Sequence, residues 1–115
     1  MSIDPIEAFQ TLDMRVGQIV RCRINDAART PAYKLWIDFG DGPDGLGERQ
    51  SGARLTDLYR PEDLEGRLVI AAVNLGPRRI AGFRSDVLTL GVPDASGRVV
   101  LLEPERTVPP GTRVF

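Results

Sequence analysis

Histidine is absent from the 115 residues. The usual general base, the usual proton shuttle and the commonest metal ligand are therefore missing. One cysteine, Cys22, leaves no internal disulfide. Without histidine, the cysteine–histidine form of nucleophile cannot be built either, so Cys22 reads as a small core residue. Nothing here requires an oxidising compartment. Aromatic residues make up 6% of the chain, so its core must be mostly aliphatic. The formal net charge is −1, which removes any bulk electrostatic argument for nucleic acid. Long apolar runs are missing too. The longest uncharged stretch, residues 68–77, falls far short of the roughly 20 residues that a membrane helix needs. Residues 1–5 lack a basic region followed by an apolar run, so they do not read as a signal peptide. The expectation is a soluble, cytoplasmic protein with no membrane insertion.

Basic charge is present but one-sided in kind. Lys34 is the only lysine among the 15 basic residues; the other 14 are arginines. Arginine makes planar, two-pronged contacts to phosphate and stacks on bases. Coding composition is the competing explanation, since Ala, Gly and Pro are also abundant.

The length fits a single domain over residues 1–115. Asp4, Pro5 and Glu7 predict a capped helix start, and Ile6, Phe9 and Leu12 give residues 1–13 an amphipathic character. That apolar face needs a docking surface, either the rest of the chain or a second subunit. A long strand follows over 14–24, in which Val20, Cys22 and Ile24 alternate with charged neighbours and Gly17 suggests a bulge or sharp bend. In 33–39, Tyr33, Leu35, Ile37 and Phe39 face one way and Lys34, Trp36 and Asp38 the other. A glycine-rich loop, 40–47, leads to a returning strand at 48–53, and Pro61-Glu62-Asp63-Leu64 resembles the first turn of a helix. Residues 68–73 form a continuous apolar run, the mark of a strand buried on both faces. Residues 87–90 and 99–102 are two more strands. The proline-rich tail, 103–115, should be extended and docked. The result is an all-β fold: a five-stranded OB-fold Greek-key barrel over 14–102, with a short N-terminal helix and a helical turn between strands 3 and 4. Leu35, Ile37, Phe39, Ile70 and Ala72 are expected to point inward.

Gly40-Asp41-Gly42-Pro43-Asp44-Gly45 matches the spacing of a dinucleotide-binding loop. That loop must open a helix whose N-terminus meets the pyrophosphate. Here Pro43 and further glycines follow, and the carboxylates of Asp38, Asp41, Asp44 and Glu48 would repel phosphate. The acidic spacing does not fit an EF-hand either. Trp36, on the face opposite Leu35 and Ile37, is an interface anchor, a base-stacking platform, or a residue packed under the N-terminal helix. No nucleophile–base pair, metal cluster or phosphate loop survives, so the chain reads as a non-enzyme with no cofactor.

Residues 74–85, Asn-Leu-Gly-Pro-Arg-Arg-Ile-Ala-Gly-Phe-Arg-Ser, carry three arginines and no acidic residue. Gly76, Pro77 and Gly82 make the segment a loop leaving a buried strand. Arg78, Arg79 and Arg84 are well suited to phosphate, with Asn74 and Ser85 adding neutral hydrogen bonds and Arg49 and Arg54 extending the set. This segment resembles the signature of the tRNA-binding domain family. Asp13-Met14-Arg15-Val16-Gly17 resembles the family's first strand, and residues 59–66, Tyr-Arg-Pro-Glu-Asp-Leu-Glu-Gly, the segment before its central strand. The likeness continues through 99–102 to Pro109-Pro110-Gly111-Thr112, and so spans nearly the whole chain. Ser85-Asp86-Val87-Leu88 departs from the broader family, in which the serine is followed by a residue and then Gly-Met. With Leu35-Trp36-Ile37-Asp38-Phe39-Gly40 and Gln50-Ser51, that variant is similar to CsaA-type proteins. The resemblance implies tRNA as a partner. It further implies a homodimeric chaperone that holds unfolded export precursor proteins and works with the export machinery; the lack of a nucleotide-binding loop makes the expected role ATP-independent. Ile6, Phe9, Val108, Pro109 and Val114 are the expected dimer-interface residues. A tRNA-binding module with no chaperone role is the alternative.

Overall fold

The computed structural model describes residues 2–115. Its elements run α1 (Pro5–Thr11), β1 (Met14–Ile24), β2 (Tyr33–Asp38), β3 (Glu48–Ala53), α2 (Pro61–Leu64) and β4 (Leu68–Ala72). Then come β5 (Arg78–Ile80), β6 (Phe83–Ser85), β7 (Leu88–Thr89), β8 (Gly91–Pro93) and β9 (Val99–Leu101). Five antiparallel strands in the order β3-β2-β1-β4-β7 make a nearly closed barrel, the expected OB-like fold, with α2 between β3 and β4. Closure between its two edges is made by single contacts. The Asp86 and Val87 N–H groups both donate to Gln50 O, and the hydroxyls of Ser51 and Thr89 meet at 2.8 Å. The pairs β5–β6 and β8–β9 are separate hairpins outside this sheet.

Strand β2 alternates as its sequence requires: Tyr33, Leu35 and Ile37 are buried, followed by Phe39. Ile19, Val69, Ala71, Leu55 and Leu64 complete the centre of the core. Gly17 lies against the side chains of Ile37 and Phe39. A Cβ there would sit 2.5 Å from Ile37 Cγ2 and 2.7 Å from Phe39 Cε1, so a side chain has no room. The bulge falls elsewhere: the β1–β2 register slips between Ile19 and Arg21, leaving Val20 unpaired and 46% exposed. The slip restores Cys22 to the interior. Apolar alternation at 20, 22 and 24 is therefore misleading: Val20 and Ile24 face solvent and only Cys22 enters the core.

Strand β4 runs one residue out of phase with the expectation. Gly17 pairs with Val69 and faces inward with it, which turns Ile70 and Ala72 to the outer side. A one-residue shift exchanges the two faces of a strand. Ala72 is still buried, and Ile70 is half-buried. The 40–47 segment is a hairpin loop leading straight into β3, and no helix opens from it. At the N-terminus, Asp4 Oδ1 accepts from the Ile6 N–H at 3.1 Å. No return bond from Glu7 to Asp4 forms among the described residues. The tail runs along β1, with Val16 N–H donating to Thr112 O, Gly111 N–H to Val16 O and Val114 N–H to Met14 O. No helix among the described residues is long and apolar enough to cross a membrane.

Candidate nucleic-acid interface

The arginine-bearing segment is a β-hairpin rather than a loop. Ile80 and Phe83 flank a two-residue turn in which Ala81 (φ 48°) and Gly82 (φ 80°) are both left-handed. Such a turn matches the twist of a hairpin and ordinarily selects Asn-Gly or Gly-Gly. Alanine at the first position hid the hairpin in the sequence.

Register decides what each arginine can do. Arg79 lies opposite Arg84, and Arg78 opposite Ser85. Side chains alternate across a strand, so Arg78, Ile80, Phe83 and Ser85 share the inner face while Arg79 and Arg84 share the outer one. The inner face is bolted to the barrel. Phe83 meets Trp36 edge-on at 5.5 Å and 72°. Ile80 packs over Gly52, and Ile80 O accepts from Asn25 Nδ2 at 3.3 Å. Ser85 Oγ accepts from Gly52 N–H at 3.0 Å and donates to Val87 O at 3.0 Å. Two like charges directly opposite each other are unfavourable. Asp86 relieves the pair by holding Arg84 at 2.6 Å, and Arg79 donates to Gly82 O at 3.1 Å.

Of the residues singled out from the sequence, Arg78, Arg79 and Arg84 are brought together, with Arg78 on the other face. Ser85 is buried, with its hydroxyl fully engaged. Asn74 is a structural clamp. Its Nδ2 donates to Thr11 O at 2.8 Å and its Oδ1 accepts from Asp13 N–H at 2.9 Å, closing the end of α1. Arg49 pairs in register with Ile37, on the side of β3 away from the hairpin, and donates to Leu46 O. Arg54 is exposed just beyond β3, beside Leu88 and Val92. Ile6 and Phe9 are 67% and 46% exposed, and Val114 lines a shallow cleft with Phe9 and Phe115. Val108 is half-buried and Pro109 exposed on the tail.

Three neighbours of this surface were not singled out from the sequence: Arg21, Lys34 and Phe83. The Arg21 guanidinium lies 4.0 Å from the Trp36 ring centre, and Lys34 Nζ lies 5.5 Å from that of Phe83. Trp36 thus packs under the hairpin and not under α1. The signal was available: Lys34 and Trp36 share a face by alternation, and the bulge brings Arg21 opposite Trp36. Cations interleaved with aromatic rings suit stacked bases and phosphates. Cys22 takes no part, because burial, with Glu65 nearby, pushes its thiol up to about 11. Burial likewise raises Tyr33, whose hydroxyl donates to Tyr59 O at 2.7 Å.

Residues 14–113 match the family described as "Putative tRNA binding domain". The chain is 38% identical over 109 residues to the methionine–tRNA ligase of Archaeoglobus fulgidus. The match covers 95% of this chain and 16% of that enzyme. The chain thus spans about a sixth of the length of such relatives. Among solved structures, chaperone CsaA of Bacillus anthracis matches with a TM-score of 0.87 and 46% identity, over 99% of this chain and 100% of the other. The CsaA chaperone protein of Picrophilus torridus matches with a TM-score of 0.88 and 37% identity, over 98% and 100%.

Proposed function

The chain belongs to the tRNA-binding domain family, and we propose that it binds tRNA without catalysis, gripping phosphates with the β5–β6 hairpin. One observation carries this reading. The hairpin is fixed on the barrel by Phe83, Ile80 and Ser85, so Arg79 and Arg84 project side by side from a rigid support. A rigid fork of donors loses little freedom when it meets a phosphate. Arg21, Lys34 and Trp36 extend the surface along β1 and β2. Structured RNA read through its backbone needs shape and charge rather than base contacts. The test is the double change Arg79→Ala and Arg84→Ala, with labelled tRNA titrated at several salt concentrations. Affinity should fall for all tRNAs alike, and the salt slope should drop by about one per lost contact. Unchanged affinity and slope would remove the hairpin as the site.

A second role is supported by the likeness to two CsaA chaperones over nearly the whole chain. In this role a homodimer in the cytoplasm holds unfolded export precursors without ATP. Helix α1 buries none of its own side chains, and Ile3, Ile6, Phe9 and Phe115 are exposed around it. A two-fold contact through α1 and the tail would cover them. Sedimentation should show a dimer that Phe9→Glu dissociates. Light scattering from an aggregating secretory protein should fall when the chain is added. A monomer at micromolar concentration, or unchanged scattering, counts against this role.

A further inference from the structure

Seven of the ten large apolar residues exposed among the described residues gather at two places. One is the α1 surface described above. The other is the seam where the barrel closes, between β3 and β7–β8, where Leu75, Leu88 and Val92 are 57%, 52% and 47% exposed. Two adjoining cavities lie along it. The first, about 300 Å³, is walled by Leu75, Ile80, Val87 and Leu88, with Arg78 at its side. The second, about 320 Å³, runs past Leu88 to Leu55, Val92 and Pro93, with Arg54 at its side. Gly52 and Leu88 line both, so they are contiguous and Leu88 divides them. Neither is lined by a carboxylate. Both are at the lower limit of small-ligand pockets.

One arginine stands beside each cavity. Arg79 and Arg84 each have an internal hydrogen-bond partner. Arg78 and Arg54 have none among the described residues, and each stands beside one cavity. A guanidinium left unpaired beside a mainly apolar hollow fits a ligand with a flat body, apolar on its faces and polar at its edge, and an anionic link. That repeating pattern is the chemistry of unpaired nucleotides. Single-stranded RNA can splay its bases out onto a protein surface and its arginine planes, whereas a duplex keeps them stacked.

We infer that the seam is a track for two successive unpaired nucleotides. One base enters the Leu75–Leu88 cavity and the next the Leu88–Val92 cavity, Leu88 separates them, and Arg78 and Arg54 hold the flanking phosphates. The inference rests on the tRNA-binding reading and narrows it: the hairpin's outer face grips the folded RNA, and its inner face leads an unpaired segment into the seam. An extended polypeptide is the competing occupant. It is disfavoured because a polypeptide backbone carries no anionic link to meet the unpaired guanidinium that stands beside each carboxylate-free cavity.

The test uses the full chain and a short fluorescein-labelled oligouridine, followed by anisotropy over a range of salt. Leu88→Ser should weaken oligouridine roughly fivefold, the equivalent of about 1 kcal/mol, with an unchanged salt slope. Arg78→Ala should lower the slope by about 0.7, the single-strand value for one phosphate. An all-abasic oligomer should bind more weakly than oligouridine. Leu75→Ser is the second variant, should Leu88→Ser disturb the fold. An abasic oligomer binding as tightly as oligouridine overturns the proposal. So does Leu88→Ser impairing aggregation suppression while leaving oligouridine affinity intact, which would give the seam to polypeptide. Binding of tRNA with no binding of oligouridine removes the track and spares the tRNA reading. Oligouridine binding that is sensitive to Leu88, without tRNA binding, does the reverse.

Discussion

Asp86 stands between the hairpin and any phosphate, and changing it to asparagine tests the arrangement. One carboxylate oxygen accepts from Arg84 Nε at 2.6 Å, and the other accepts from Gln50 N–H at 3.3 Å. The Asp86 N–H donates to Gln50 O at 2.8 Å, so the residue also pins the hairpin's end to β3. Asparagine keeps an acceptor for Gln50 and removes the charge that occupies Arg84. The Arg84 side chain is 58% exposed and that of Asp86 20%. At such exposure an ion pair is worth about 0.2–1 kcal/mol, well below its Coulomb energy in a low dielectric. Releasing Arg84 to a phosphate should therefore tighten tRNA binding by up to roughly fivefold. It should also steepen the salt slope by about 0.9, one more counterion released. Fluorescence titration of labelled tRNA at several salt concentrations reads both quantities, and the thermal midpoint checks the fold. Asp86→Arg is the poorer experiment. It adds charge but removes the acceptor for Gln50, so gains in binding would be mixed with loss of the anchor. If Asp86→Asn changes neither affinity nor slope, Arg84 gains no phosphate when released, and it drops out of the proposed outer-face grip, leaving Arg79.

Three further outcomes follow from the geometry. Ala81→Gly should raise stability by roughly 1 kcal/mol, since a left-handed alanine carries a cost of about that size that glycine avoids; the thermal midpoint measures it. Gly17→Ala should destabilise by about 1–3 kcal/mol in a denaturant melt, because the new methyl overlaps Ile37 and Phe39 in a packed core. The Cys22 thiol, raised from an ordinary value near 9.0 to about 11, favours the folded state fully below pH 9. That contribution is lost as the pH rises toward 11, and a native-state thiol titration at pH 8 should find Cys22 unreactive until the chain unfolds.

Much of the barrel was legible because β2 reports its own burial. Tyr33, Leu35 and Ile37 alternate without interruption, and the short run 61–64 carries its proline at the helix start. Strand β1 was legible as a strand but not in its facing. A bulge adds one residue, and alternation read across Val20 assigns the wrong face on one side of it. Strand β4 is apolar at every position, so nothing in its composition distinguishes inner from outer, and its phase is set only by Gly17 opposite Val69. The candidate site was legible as chemistry but not as geometry. Three arginines and their neighbours stood out. Their division into two faces depended on a turn that Ala81-Gly82 does not advertise, and on Phe83, whose partner Trp36 lies in a distant strand. Asn74 looked like a ligand because asparagine in a loop is ambiguous. Its two bonds to Thr11 and Asp13 span more than 60 residues of sequence and leave no local trace.

The hairpin's alternation links the two proposed contacts and predicts that they can be separated. Arg79 and Arg84 leave the outer face, while Arg78 leaves the inner face opposite Ser85. On the proposed reading, adjacent residues of one strand would serve different parts of an RNA. Loss of Arg79 should weaken folded tRNA and leave a short single strand almost untouched. Loss of Arg78 should weaken both. Ile80 and Phe83, which hold the hairpin on Gly52 and Trp36, stand behind both contacts. Phe83→Ala should reduce binding of either RNA through lost positioning, with the salt slope retained because every arginine is still present. Slope and affinity falling together in Phe83→Ala would mean that the hairpin detaches as a unit, and that support from the barrel, rather than arginine count, limits binding.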